Sequence, residues 1–276
     1  MSLAADRPTP PDYPTIKTRQ RQTWASGNYQ VIASLIMPVS ERLCDTVDLR
    51  AGESVLDVAS GTGNTAIAAA RRLCHVTGID YVPVLLERAQ ARAAAESLSI
   101  TFMEGDAEAL PVPDDAYDVV LSSFGSMFSP NQERAAGELV RVCRSGGRIG
   151  LVNWTPEGWI GEMLRIVGRH APPPAGVRPA TRWGTEEGLH ELLGNEIADL
   201  RLARQTFVWR FVSAQQYLDY FRMYYGPVLK AFATLDENGQ DALARDLIEA
   251  VLCFNCSHDD TLLVPAEYMQ VVATKK

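Results

Sequence analysis

Short apolar runs alternate with amphipathic segments between residues 54 and 154 of this 276-residue chain. The runs are rich in Val, Ile and Leu and are bounded by Gly, Pro and Asp, which is typical of buried strands. They cover residues 54–59, 75–80, 99–104, 117–123 and 148–154. Helical stretches lie between them, at residues 64–73, around 85–93 and at 133–143. This alternation predicts right-handed crossovers and a doubly wound α/β fold with a mostly parallel sheet.

The alternation is weaker outside this region. The Pro-rich residues 1–14 are predicted to be poorly ordered, and residues 15–45 predict two helices with a break near Gly27 and Asn28. Beyond residue 154, the predicted elements are a helix at 157–169, an exposed loop at 171–176, a strand at 206–212, helices at 213–232 and 236–254, and a strand at 266–275. Two helices are therefore expected between the last two strands.

The most informative local signal is the sequence VLDVASGTGNTA at residues 55–66, where the first strand turns into a helix. Gly61 and Gly63 lack Cβ atoms, so the turn can be tight and a ligand can approach the backbone. Dinucleotide-binding proteins also place glycines after their first strand. Two details favour another ligand: Asp57 would repel a pyrophosphate and attract an ammonium group, and Ala66 replaces the third glycine of that pattern.

The next two strands also end in carboxylates. Asp80 is expected at an exposed strand tip, where it can accept hydrogen bonds from both hydroxyl groups of a ribose. After the third strand, Asp106 can accept the exocyclic amine of an adenine, and the backbone of Ala107 can donate to a ring nitrogen. The three strand ends together match the amino acid, ribose and adenine groups of S-adenosylmethionine.

These motifs, with GIDYVP, GDAEALPVPDDAYDVVLSSFG and ELVRVCRSGGRIGLVNW, resemble the class I S-adenosylmethionine-dependent methyltransferases of the small-molecule type. The chain is similar to the ubiquinone and menaquinone C-methyltransferases (the type 11 group) over residues 20–154, and AEYMQVVATK resembles their last strand. The resemblance implies a seven-stranded sheet with an antiparallel last strand. It also implies a helical lid at 1–45, a cofactor-binding core at 46–154, and a remainder at 155–276 whose inserted helices select the acceptor.

The resemblance implies S-adenosylmethionine as cofactor and S-adenosylhomocysteine as product. The cofactor-binding residues expected on this basis are Trp24, Tyr29, Asp57, Ala59, Gly61, Gly63, Asp80, Tyr81, Asp106, Ala107 and Ser122. Ala59 departs from the family, which more often has glycine there. Lys17, Arg19 and Arg21 fit either a contact with the carboxylate of the cofactor or a solvated helix face.

The candidate acceptor-binding residues are mostly aromatic. Phe124 and Met127 follow the fourth strand, and Tyr220 and Tyr224 fall at helical spacing on one inserted helix. These side chains fit either a flat apolar wall for an aromatic acceptor or ordinary packing. Tyr224 and His170 are candidate bases for an acceptor that must lose a proton, and an exposed loop histidine is the alternative for His170.

The amino-acid composition disfavours some classes of binding partner and favours one cellular location. With 26 basic against 34 acidic residues the net charge is −8, which disfavours nucleic acid and anionic membranes as partners. No apolar run approaches the ~20 residues that span a bilayer, and the N-terminus lacks a signal-peptide pattern, so a cytoplasmic location is expected. Cys253, Cys256 and His258 do not complete a four-ligand zinc site, so no metal is expected.

The sequence therefore predicts an enzyme that transfers a methyl group from S-adenosylmethionine to a small, apolar, aromatic metabolite. It leaves open whether oxygen, nitrogen or carbon is methylated and whether the chain forms a homo-oligomer. Two alternatives belong to other functional classes. One is a nicotinamide-dependent oxidoreductase on a related fold, and the other is a non-catalytic protein that binds S-adenosylmethionine or S-adenosylhomocysteine.

Overall fold

A computed structural model describes residues 11–276. Residues 1–10 of the segment predicted to be poorly ordered lie outside the described residues. The first helix, α1, covers Tyr13–Ala25, and the side chain of Asp12 caps it by accepting a hydrogen bond from the Thr15 backbone N–H. The end of that predicted segment is therefore helical from Tyr13 onward.

Within residues 11–276, seven strands form one sheet in the order β3-β2-β1-β4-β5-β7-β6. The strands are β1 (Ser54–Val58), β2 (His75–Asp80), β3 (Ile100–Glu104), β4 (Tyr117–Ser123), β5 (Cys143–Trp154), β6 (Ile197–Phe211) and β7 (Leu262–Lys275). Strand β7 runs antiparallel to both of its neighbours, while β1 to β5 are parallel to one another. The doubly wound fold with an antiparallel last strand is thus confirmed.

Helices pack against the strands of the sheet. Between the strands lie α4 (Asn64–Ala70), α5 (Pro83–Ala95), α6 (Gln132–Val142), α7 (Trp159–His170) and α8 (Glu186–Leu193). In β1, the side chains of Val55, Leu56 and Val58 are fully buried against this helical cover. A buried parallel sheet leaves only its strand ends open to a ligand, which is where open α/β sheets bind their ligands.

The N-terminal segment forms three helices rather than the two predicted. They are α1, α2 (Tyr29–Leu35) and α3 (Met37–Thr46). The predicted break near Gly27 is present, and a second break comes at Ile36, just before Pro38 in the first turn of α3. Proline lacks the N–H that would continue the preceding helix, so a new helix begins there.

The insertion between β6 and β7 also has one helix more than predicted. It contains α9 (Ala214–Tyr224), α10 (Gly226–Thr234) and α11 (Glu237–Cys253). The predicted helix 213–232 is broken at Tyr225, whose backbone is extended (φ −94°, ψ 105°), and Pro227 then starts α10. The break lets the insertion turn back over the carboxyl ends of the strands.

The N-terminal helices and the insertion meet through two glycines. A Cβ on Gly226 would lie 2.2 Å from the Thr23 carbonyl oxygen, and a Cβ on Gly27 would lie 2.8 Å from the Tyr224 carbonyl oxygen. Contacts this short leave no room for a side chain, so the two segments approach backbone to backbone. They form a common cover over the sheet edge where β1 to β5 end.

Candidate active site

A cavity of about 900 Å³, counting the space at its open mouth, lies at the carboxyl ends of the parallel strands. Its walls come from the segments after β1, β2, β3 and β4 and from helices α1 and α2. We call it the cofactor cavity. The residues predicted to bind the cofactor that line it are Trp24, Tyr29, Asp57, Ala59, Gly61, Asp80, Tyr81, Asp106 and Ala107.

Gly63 and Ser122 belong to the same prediction but do not line the cofactor cavity. Gly63 has φ 83° at the start of α4, and a Cβ there would lie 3.1 Å from the Cβ of Ala89. The Ser122 hydroxyl donates to the Val58 carbonyl oxygen at 2.8 Å. Gly63 therefore allows close packing of α4, and Ser122 ties the end of β4 to that of β1.

Asp57 is buried at the end of β1, with 1% of its surface exposed. Its Oδ2 atom accepts a hydrogen bond from the Ala66 backbone N–H at 2.9 Å, which joins the strand to the first turn of α4. Burial, together with the negative charge of Asp80, raises the pKa of this carboxyl to about 8, although the hydrogen bond from Ala66 lowers it. Asp57 is therefore a buried acid without a compensating cation in the described structure.

Asp80 is also buried, with 5% of its surface exposed, so the expectation of an exposed strand tip is wrong. The reason is that its two oxygens accept backbone N–H groups, from Gly61 at 2.8 Å and from Val82 at 2.9 Å. Burial raises the pKa of Asp80 to about 6, and these hydrogen bonds limit the increase. Its side chain holds the glycine-containing turn against the end of β2.

Lys17 of α1 enters the cofactor cavity and pairs with two carboxylates. Its Nζ atom lies 2.6 Å from Asp106 Oδ2 and 2.5 Å from Glu108 Oε2. Of the two alternatives for this lysine, the solvated helix face is therefore wrong, and the lysine contacts carboxylates of the chain itself. Sequence reasoning missed Glu108, although its position two residues after Asp106 in the same motif was a signal for it. The other two basic candidates, Arg19 and Arg21, are exposed, and Arg21 pairs with Glu104.

Two residues in the walls of the cofactor cavity adopt left-handed backbone conformations that non-glycine residues seldom adopt. They are Ala59 (φ 54°) and Phe124 (φ 55°). Next to them, a Cβ on Gly125 would lie 2.5 Å from the Ala59 carbonyl oxygen. The segments that follow β1 and β4 are thus in direct contact, and the Phe124 ring stacks on Trp154 with centroids 3.8 Å apart and planes 7° apart.

A second, smaller cavity adjoins the first and has a volume of about 330 Å³, counting the space at its open mouth. We call it the acceptor chamber. All of its lining residues are apolar or aromatic: Trp24, Tyr29, Ile32, Ile36, Phe124, Phe128, Trp154, Ile160, Met163, Trp209, Phe221 and Tyr225. Trp24, Tyr29 and Phe124 line both cavities, so the two spaces meet at these rings.

Only one of the four predicted acceptor-binding residues lines the chamber. Phe124 lines the chamber, whereas Met127 is fully buried in a short 3₁₀ turn and lines neither cavity. Tyr220 and Tyr224 also line neither cavity, and the Tyr220 hydroxyl donates to the Val31 carbonyl oxygen at 3.3 Å. The residues that follow these two tyrosines, Phe221 in α9 and Tyr225 directly after it, line the chamber instead.

His170 lies at the C-terminal end of α7, and it lines neither cavity. Its Nε2 atom is 2.8 Å from Asp246 Oδ2 on α11. The structure thus gives this histidine a helix-to-helix contact rather than a position beside the acceptor. Neither candidate base, His170 or Tyr224, therefore lines this cavity.

In residues 11–276, no group of three or more His, Cys, Asp or Glu side chains is arranged to hold a metal ion. Cys253 and Cys256 are exposed free thiols. None of the helices described is both long enough and apolar enough to cross a bilayer.

Comparison with known proteins places the chain in a family. The family model described as a methyltransferase domain matches residues 55–147. Protein Rv1403c of Mycobacterium tuberculosis is 41% identical over 244 residues, which cover 86% of this chain and 89% of the relative. The chain belongs to the S-adenosylmethionine-dependent methyltransferases. This methyltransferase therefore uses S-adenosylmethionine as cofactor.

Two further proteins extend the comparison. The demethylmenaquinone methyltransferase of Thermus thermophilus is 37% identical over 129 residues, which cover 45% of this methyltransferase and 59% of the relative. The crystal structure of YcgJ from Bacillus subtilis matches with a TM-score of 0.58 at 18% identity, covering 86% of this chain and 98% of that chain. The latter likeness supports the fold alone.

Proposed function

We propose that this methyltransferase transfers a methyl group from S-adenosylmethionine to a small, apolar, aromatic metabolite of the secondary-metabolite type. The observation that carries the proposal is the acceptor chamber, in which every lining side chain is apolar or aromatic. An aromatic ring placed there would bury its surface against these side chains. The similarity to a demethylmenaquinone methyltransferase over 45% of the chain supports an acceptor of this class.

The cofactor cavity supplies groups that fit S-adenosylmethionine. Burial raises the pKa values of the Asp57 and Asp80 carboxyl groups, and an ammonium group and ribose hydroxyls would provide contacts that favour their charged forms. The Ser60 hydroxyl in the same wall is buried without a hydrogen-bond partner in the described structure. We assign Asp57 to the ammonium group, Asp80 to the ribose, and Asp106 with Ala107 to the adenine.

For methyl transfer from S-adenosylmethionine, the main task of the chain is to position the cofactor and the acceptor. The sulfonium of the bound cofactor supplies an already activated methyl group. Among the described residues, no carboxylate or imidazole lines the acceptor chamber, so the side chains there orient the acceptor and exclude water. Orientation of this kind can contribute effective molarities on the order of 10⁵ M. Phe124, Trp24 and Tyr29 line both cavities and are the groups that would hold donor and acceptor on one axis.

The family assignment favours methyl transfer over the nicotinamide-dependent alternative, so the remaining rival is a non-catalytic binding protein. The proposal is tested with isotopically labelled S-adenosylmethionine and a set of phenols, arylamines and electron-rich arenes. We expect label to enter at least one aromatic compound, and mass spectrometry of the product then identifies the methylated atom. Tight S-adenosylhomocysteine binding with no transfer to any aromatic compound would support the rival.

A matched pair of variants links transfer to the chamber. Met163 lines the chamber, whereas its neighbour Leu164 is partly buried and does not. Met163→Phe should fill the chamber and reduce transfer while leaving S-adenosylhomocysteine affinity unchanged, and Leu164→Phe should change neither quantity. Equal transfer by both variants would contradict the assignment of this chamber to the acceptor.

A further inference from the structure

The Tyr225 side chain combines burial with a polar group that has no partner. Its ring lines the acceptor chamber and is 6% exposed. It packs edge-on against Trp24, with centroids 5.8 Å apart, and against Phe221, with centroids 5.6 Å apart. Among the hydrogen bonds of residues 11–276, none involves the Tyr225 hydroxyl. The hydroxyl is also not among the fully buried unpaired polar atoms of these residues, so its oxygen keeps accessible surface at which a ligand can form a hydrogen bond.

The backbone fixes the position of this residue from both sides. Tyr225 follows the last residue of α9, and its N–H still donates to the Phe221 carbonyl oxygen at 3.0 Å. On its other side, Gly226 packs directly on the Thr23 carbonyl oxygen. The Asn28 N–H donates to the Tyr224 carbonyl oxygen at 3.3 Å. Because the cover of the site clamps the chain here, the Tyr225 ring cannot leave the chamber without opening that cover.

The surroundings make the Tyr225 hydroxyl a donor rather than a base. Burial raises its pKa far above the ordinary value for tyrosine, and the neighbouring Tyr29 raises it further. Burial also raises the pKa of Tyr29 to about 12. Both hydroxyls therefore stay protonated at neutral pH. Among the described residues, the Trp209 indole N–H is a second unpaired donor in the chamber lining. The remaining lining side chains are aliphatic or aromatic, so an acceptor oxygen beside Tyr225 would find a hydrogen-bond donor in a largely nonpolar space.

We propose that the Tyr225 hydroxyl donates a hydrogen bond to an oxygen atom of the methyl acceptor, so that the acceptor is an aromatic compound bearing a hydroxyl or carbonyl oxygen. This inference rests on the proposed function, because it assumes that the chamber holds an aromatic acceptor. It makes Tyr225 a specificity-determining residue. An acceptor of the same shape without the oxygen would lose this hydrogen bond.

The test uses two probes that differ by one oxygen, 2-naphthol and naphthalene, with the complex of the protein and S-adenosylhomocysteine. Their dissociation constants are measured by equilibrium dialysis for the wild type and for Tyr225→Phe, which removes the hydroxyl and keeps the ring. The wild type should prefer 2-naphthol by about tenfold, in line with one net hydrogen bond. The Tyr225→Phe variant should bind the two probes equally.

Tyr224→Phe is the matched control, because Tyr224 is adjacent, has the same chemistry and lines neither cavity. It should keep the wild-type preference for 2-naphthol. An unchanged preference in Tyr225→Phe, or no preference in the wild type, would overturn the inference. Failure of the proposed function has a different signature: the preference depends on Tyr225, but no aromatic compound receives a labelled methyl group.

Discussion

The cofactor cavity and the acceptor chamber touch through shared rings, yet they are built by different means. The cofactor cavity takes its polar groups from strand ends, and its buried carboxylates Asp57 and Asp80 are each fixed by backbone N–H groups. The acceptor chamber takes its walls from lid helices, from the far end of β5 and from the insertion, and these walls are apolar or aromatic. One site is determined by local motifs, and the other by how distant segments pack.

This difference predicts how each cavity responds to change. Backbone hydrogen bonds to a buried carboxylate constrain position closely, so the cofactor cavity should tolerate few substitutions. Packed rings contribute to binding mainly through their shape and buried area. Substitution of side chains in the chamber should therefore change which acceptor is bound without disrupting the fold. The following predictions test this contrast, beginning with a residue that lines both cavities.

Phe124→Ala should have the largest effect, because its ring separates the two cavities and stacks on Trp154. Truncation of a buried Phe costs ~3–5 kcal/mol of unfolding free energy, and here both cofactor affinity and transfer should fall. Phe232→Ala is the control, since Phe232 is equally buried (2% exposed) and lines neither cavity. Thermal melts and binding isotherms that show the same pattern for both variants would contradict a role for Phe124 in the site.

Asp57→Asn should act on the cofactor cavity alone. The amide oxygen can still accept the Ala66 N–H, but the charge is lost, so S-adenosylhomocysteine affinity should fall by ~1.5–3 kcal/mol. The free protein should melt no lower, because the Asp57 carboxyl, with a pKa of about 8, is mostly uncharged near neutral pH and an amide of the same shape replaces it. Asp118→Asn, which also loses a carboxylate bonded to a backbone N–H (from Ser54), is the control and should bind normally. Calorimetry and melting curves measure both effects.

The pH dependence of binding should follow from the raised pKa of Asp57, about 8 against an ordinary value of 3.8. An ammonium group binds the charged carboxylate, so S-adenosylhomocysteine affinity should rise by up to about tenfold per pH unit below pH 8 and level off above it. In the free protein the sign is opposite. The folded state holds its proton longer than the unfolded state, so this group's contribution to stability is lost as pH rises from 3.8 to about 8.

Both pH trends should be weaker in Asp57→Asn, and calorimetry in buffers of different ionisation enthalpy should detect release of a proton on binding by the wild type. A flat affinity between pH 6 and pH 8 in the wild type would contradict the assignment of Asp57 to the ammonium group. Asp80, with a pKa of about 6, should contribute only at the lower end of this range.

Ala59→Gly should have the smallest effect. Ala59 has φ 54°, a conformation that costs an L-residue ~1–2 kcal/mol, and the added freedom of glycine in the unfolded chain offsets ~0.4–1 kcal/mol of that gain. We expect a net stabilisation of about 0.5 kcal/mol with unchanged cofactor affinity. Ala136→Gly in the buried interior of α6 is the contrasting control and should destabilise the protein by about 1 kcal/mol.

The sequence predicted the parallel core closely and the remainder less well. Strands β1, β2 and β4 end within one residue of the predicted positions, because each is a short segment with Val, Ile or Leu at its centre and turn residues on either side. The breaks at Ile36 and Tyr225 were missed, because the residues before Pro38 and Gly226 continue a helical pattern. A pattern of apolar positions identifies a helix more reliably than it identifies where the helix turns.

The sequence by itself determined that Asp57, Asp80 and Asp106 belong to one cavity. The carboxyl ends of parallel strands meet at one edge of a sheet, so spacing along the chain is enough to bring these residues together. Only the tertiary structure decided that Asp80 is buried, with its carboxylate accepting hydrogen bonds from backbone N–H groups such as that of Gly61. It also decided that Tyr225 rather than Tyr224 lines the acceptor chamber. Neighbouring residues on a helix face different directions, and the rotation of α9 is set by contacts with lid segments nearly 200 positions earlier in the chain.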